Sequence, residues 1–69
     1  MDGSRRPAAW RYLGDGDVGV WVAYHEREVV KAVPTARWDP SLKCWRIRVH
    51  FADLVDDVVA DVNRARRYR

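Results

Sequence analysis

Sixty-nine residues carrying thirteen Lys and Arg against ten Asp and Glu, for a net charge of +3, make one small domain. A chain of this size buries only about 60% of the surface its unfolded form exposes, which argues against a deep catalytic pocket and for binding on an open surface. Its single cysteine, Cys44, excludes an internal disulfide framework and suits a reducing compartment, so the expected location is the cytoplasm.

Met1 to Pro7 contains Gly3, Ser4 and Pro7 without periodicity and is expected to be a flexible arm, leaving residues 8–69 as a single domain. The opening at Met1, with no signal peptide and no apolar run of about 18 residues, reads as a complete small polypeptide without a membrane span. Ala8 to Leu13, with Trp10 and Tyr12, reads as a strand. Gly14-Asp15-Gly16-Asp17 is a tight turn, because glycine supplies the positive φ that short hairpins need. Val18 to Tyr24 is the return strand, rich in β-branched and aromatic residues.

His25 to Val33 places Val29, Val30 and Val33 on one helical face. Pro34 ends that helix, since the residue before proline avoids helical geometry. Ala36 to Trp38 is a short strand and Asp39-Pro40-Ser41 a turn. Cys44 to Phe51 alternates, with Trp45, Ile47, Val49 and Phe51 on one face and Cys44, Arg46, Arg48 and His50 on the other, as in a half-buried antiparallel strand. A closing helix begins near Phe51 or Ala52, with Phe51, Leu54, Val55, Val58, Val59 and Val62 as its apolar stripe. The expected fold is α+β: a four-stranded antiparallel sheet in the order ββαββα, with both helices on one face.

The other face of that sheet would hold Arg11, Trp21, Arg37, Arg46 and Arg48. Cations meet phosphates and flat rings stack on bases, so such a face is a candidate nucleic-acid platform. Trp21 is the stacking candidate, because Val18, Val20 and Val22 already furnish the core side of its strand. Trp38 and Trp45 are read as core aromatics that hold the hairpin in place, each able to bury roughly 150–250 Å². Exposed arginines also solvate strand faces and blunt edge pairing, and that plainer reading stays open.

The charges at the C-terminal end segregate. Asp53, Asp56, Asp57 and Asp61 are followed by Arg64, Arg66, Arg67 and Arg69. The acidic group reads as a solvated helix face, and the basic group either clamps phosphate or complements the helix dipole. His25, Cys44 and His50 lack the spacing of a zinc site, so no metal or cofactor is expected. His25-Glu26 has no nucleophile beside it, so no catalysis is expected either.

The segment from Val29 to about Leu54 resembles the HARP domain, the DNA-recognition module beside the motor of Snf2-class annealing helicases. The family pattern is an apolar helix with a lysine, a proline, an aromatic followed by Asp, and Lys-x-Trp-x-apolar leading into a helix. Here these are Lys31, Pro34, Trp38-Asp39, Lys43, Trp45 and Ile47, with Leu54 and Val55 opening the last helix. The chain departs from the pattern at Thr35, where many members have glycine. It has no room for a motor and no Gly-rich phosphate loop. The resemblance implies a non-catalytic module that recognises single-stranded or branched DNA. It would act as an accessory factor in replication, repair or phage biology, with Lys31 and Lys43 joining the arginines at phosphates. The competing expectation is a protein-interaction module that binds or inhibits a larger protein through its acidic helix or a sheet edge. Nothing in the residues selects DNA over RNA.

Overall fold

The computed structural model describes residues 7–67; the expected N-terminal arm and Arg69 therefore fall largely or wholly outside it. Strand β1 (Ala9–Tyr12) pairs with β2 (Asp17–Trp21), and a 3-10 turn (Tyr24–Glu26) leads into α1 (Arg27–Lys31). Strand β3 (Arg37–Asp39) forms a hairpin with β4 (Cys44–Arg48), and a second 3-10 turn (Val49–Phe51) opens α2 (Ala52–Arg67). The sheet is antiparallel throughout, in the order β1-β2-β4-β3. The fold is thus the α+β arrangement that the residue patterning predicts.

Alternation decides which side chains meet the helices. Val18 and Val20 of β2 and Ile47 of β4 are fully buried or nearly so, and they form one core with Val30 and Val33 around α1 and Val55, Val59 and Val62 of α2. Because one sheet face supplies all of those strand residues, both helices lie on that face. Helix α2 carries Asp53 in its first turn and Arg64, Arg66 and Arg67 in its last, which suits the helix dipole at both ends.

Two long-range contacts tie the helices down. Arg66 donates from Nε and Nη2 to the two carboxylate oxygens of Glu26, at 2.7 and 2.6 Å, while Glu26 Oε1 also accepts the Ala23 N–H at 2.9 Å. The Arg66 guanidinium holds the buried Glu26 carboxyl below its ordinary range. Asn63 brackets the entry to β1: its Oδ1 accepts the Ala8 N–H at 2.9 Å, and its Nδ2 donates to Ala8 O at 3.1 Å.

The structure corrects several boundaries. The helix expected over His25–Val33 is a 3-10 turn followed by only five α-helical residues. The strand expected to run to Phe51 stops at Arg48, because Arg48 faces Asp17, where β2 begins, and among the described residues no strand lies beyond to pair with. Val49 instead donates its N–H to Gly16 O at 3.0 Å and sits exposed. The return strand expected to reach Tyr24 ends at Trp21, and Tyr24 is exposed in the 3-10 turn; Leu54, placed on the apolar stripe by periodicity, is exposed as well. Trp38, expected in the core, is 51% exposed. Its strand is at the sheet edge, and its ring meets Trp45 edge to face at a centroid distance of 5.4 Å. Trp45 itself is half-buried against the core.

Candidate nucleic-acid interface

Opposite the helices, the register sets Arg11, Gly19, Arg46 and Arg37 in one row across all four strands. Asp17 and Arg48 form a second row, and Cys44 and Asp39 a third. The five residues expected on this face, Arg11, Trp21, Arg37, Arg46 and Arg48, all belong to it.

Trp21 lies back across the sheet over Gly19. A Cβ at Gly19 would stand 2.8 Å from Cη2 and 2.9 Å from Cζ3 of that indole, distances no methyl group tolerates. The glycine inside the strand is therefore the space the ring occupies. Trp21 Nε1 donates to Leu42 O at 3.3 Å, and the Arg11 guanidinium carbon sits 5.0 Å from the ring centroid, a cation–π contact. The ring is thereby held over Gly19 and is half-buried.

The arginines are not equivalent. Arg46 is the hub. Its Nε donates to Asp39 Oδ2 at 2.7 Å, and its Nη1 donates to Asp15 Oδ2 at 2.8 Å and Asp17 Oδ2 at 3.0 Å. Hydrogen bonds from Arg46 hold the Asp15 and Asp39 carboxyls below the usual carboxylate range, and the same three carboxylates raise the guanidinium further above its own. The expectation that Arg46 is available to phosphate is thus corrected: three acids already neutralise it, and it fixes the two hairpin turns to each other.

Arg37 and Arg48 stand at the rim of the same network. Arg37 Nη2 donates to Asp17 Oδ2 at 2.7 Å, and Arg48 Nη1 lies 3.6 Å from Asp17 Oδ1. Their side chains stay 53% and 57% exposed, whereas Asp17 beneath them is 4% exposed. Asp17 Oδ1 is buried without a hydrogen-bond donor among the described residues. A buried carboxylate of this kind favours cations above it, which orients both guanidinium groups over the sheet.

The motif residues serve the hairpin. Asp39 Oδ1 accepts the N–H groups of Ser41 at 2.8 Å and Leu42 at 3.1 Å, closing the turn that Pro40 enters. Lys43 leaves that turn with φ 56° and is exposed at its tip. After Pro34, Thr35 adopts φ 67°, the conformation for which glycine is suited. Its hydroxyl compensates by accepting the Arg48 N–H at 3.0 Å. Ile47 is fully buried at the centre of the core. Lys31 does not join the set: it sits on α1, on the helix side of the sheet, 3.6 Å from Glu28.

Residue patterning overlooked Asp15, Asp17 and Gly19. The two acids were legible only as turn residues, although a glycine within Val18-Gly19-Val20-Trp21 does signal close approach of another group. Of the C-terminal arginines, Arg66 is bound to Glu26 and Arg64 donates to Asp61 at 2.7 Å, so these two are not free to clamp phosphate. Among the described residues, no group of three or more His, Cys, Asp or Glu is placed to hold a metal ion, and no helix is long and apolar enough to cross a membrane. Burial pushes the Cys44 thiol up, away from the thiolate form that reactive cysteines use.

No family model matches the chain, and no curated protein or solved structure is significantly similar to it. The resemblance to the HARP domain therefore rests on the motif residues alone.

Proposed function

We propose that this domain binds nucleic acid on the open face of its sheet, with single-stranded or branched DNA as its target, and that it acts as a non-catalytic accessory module. The observation that carries the reading is Trp21. A half-buried indole lying over Gly19 on the open face, with the Arg11 guanidinium over its ring and the outer arginines Arg37 and Arg48 on the same face, combines an aromatic group with phosphate partners. Stacking on such a ring needs a base whose face is free, which unpaired nucleotides offer and a duplex interior does not. In this reading Arg11, Arg37, Arg48 and the turn residue Lys43 meet phosphates. Arg46 is a positioning residue that holds the carboxylates under them.

The test is a titration of labelled single-stranded, duplex and forked DNA at two salt concentrations, with single-stranded RNA as a fourth arm. The expected order is forked or single-stranded above duplex, with affinity falling steeply as salt rises. Failure to bind any of the four at moderate salt would remove the proposal. The rival reading, a protein-interaction module, draws support from the half-exposed Trp38 at the sheet edge. An apolar interface of that kind would show little salt dependence.

A further inference from the structure

Strand β3 ends the sheet. Among the described residues it has β4 on one side and no strand on the other, and no backbone-to-backbone hydrogen bond outside the ladder engages Arg37, Trp38 or Asp39. Such an edge presents N–H and C=O groups as a template for another strand. Its sequence is also self-complementary. In an antiparallel pair centred on one residue, the residue before the centre faces the residue after it. With Trp38 at the centre, Trp38 faces the copy's Trp38 on the helix side, and Arg37 faces the copy's Asp39 twice on the open face. Opposite charges and paired aromatics are the favourable cross-strand combinations.

Each group has capacity left for this. Arg37 gives a single N–H, from Nη2, to Asp17, and its side chain is about half exposed. Asp39 accepts three donors on its two oxygens, one short of what a carboxylate accommodates. Trp38 leaves about half its surface in water, an unusual exposure for the largest apolar side chain. We infer that a second copy of this chain covers β3, giving a two-fold dimer in which two four-stranded sheets become one continuous sheet. The inference does not depend on the nucleic-acid reading, although the dimer would set two Trp21 platforms on one face.

Sedimentation equilibrium from micromolar to millimolar concentration tests it. The wild-type chain is expected to dimerise reversibly. Trp38→Lys, which sets two ammonium groups against each other at the centre, should weaken association by about 100-fold or more while the circular-dichroism spectrum is unchanged. Should that variant lose structure, isotope-filtered NMR on a mixture of labelled and unlabelled wild-type chains replaces it, with contacts expected from Trp38 to Trp38 and from Arg37 to Asp39. A chain that stays monomeric at millimolar concentration, a dimer untouched by Trp38→Lys in a folded variant, or contacts mapping to β1 or α2 would overturn the inference.

Discussion

The two faces of this sheet are held by different physics. On the helix side, Val18, Val20, Ile47, Val30, Val55 and Val62 exclude water, a non-directional force that asks only for apolar volume at the right period. On the open side, Arg46 is bound by Asp15, Asp17 and Asp39 through directional bonds spanning 7 to 31 residues of sequence. The comparison teaches that a face rich in arginine is not uniformly a binding face. Here one arginine is part of the scaffold, and its neighbours are what the scaffold presents.

The helix side breaks most readily. Ile47→Ala is expected to cost about 2–5 kcal/mol, as for a large core residue truncated without collapse. In a domain this small that approaches the whole stability, so chemical denaturation should find the variant largely unfolded.

The open side should break less completely, and in a pH-dependent way. Arg46→Ala leaves three carboxylates without their shared cation, one of them buried, and should lower the melting temperature clearly, though less than Ile47→Ala does. Arg48→Ala, at the rim, should fall within about 0.5 kcal/mol of wild type. Asp15 and Asp39 bind protons less readily in the folded state than when unfolded, because of Arg46, and Glu26 does so because of Arg66. Their stabilisation is therefore present above the ordinary carboxylate range and is lost as pH falls through and below it. Thermal melting across pH 7 to about pH 3 should show the wild type losing stability below about pH 4.5, with the decline shallower in Arg46→Ala.

Gly19→Ala sharpens the comparison from within the open face. The added methyl collides with the Trp21 ring, so a loss of about 1–3 kcal/mol is expected. The Trp21 indole N–H resonance should shift as its bond to Leu42 O is broken. A spectrum identical to wild type would mean that the ring does not rest on Gly19.

The smallest effects lie at two residues of positive φ. Lys43→Gly should stabilise by about 0.5–1 kcal/mol, the relief of a left-handed conformation less the entropy glycine adds to the unfolded chain. Thr35→Gly gains the same relief but loses the hydrogen bond from Arg48 N, so its melting temperature should barely move.

Much of the architecture was legible because it depends on near neighbours. Alternation through Cys44–Arg48, the Gly14–Asp17 turn and the valine stripe of α2 are patterns within a few residues, and each forms the element it predicts. The misplaced residues depended on who sits beside whom. Trp38 looked like core, since nothing in Arg37-Trp38-Asp39 tells that β3 is the edge strand. Val49 continued the alternation, but the ladder ends where β2 begins. The site was legible as a set of side chains on one face and not as a network. Asp15 and Asp17 read as turn chemistry until β4 laid Arg46 across them, and no local pattern encodes that pairing. Glu26 and Arg66 are likewise 40 residues apart.

The central claim is that the outer arginines, not Arg46, present this face to nucleic acid. The most direct measurement is the salt dependence of single-stranded DNA binding for wild type and for Arg37→Ala/Arg48→Ala, compared at equal fractions folded. Removing two phosphate contacts should weaken binding and reduce the slope of log affinity against log salt by about two units. An unchanged affinity and slope in the folded double variant would contradict the account and move the interface off this face.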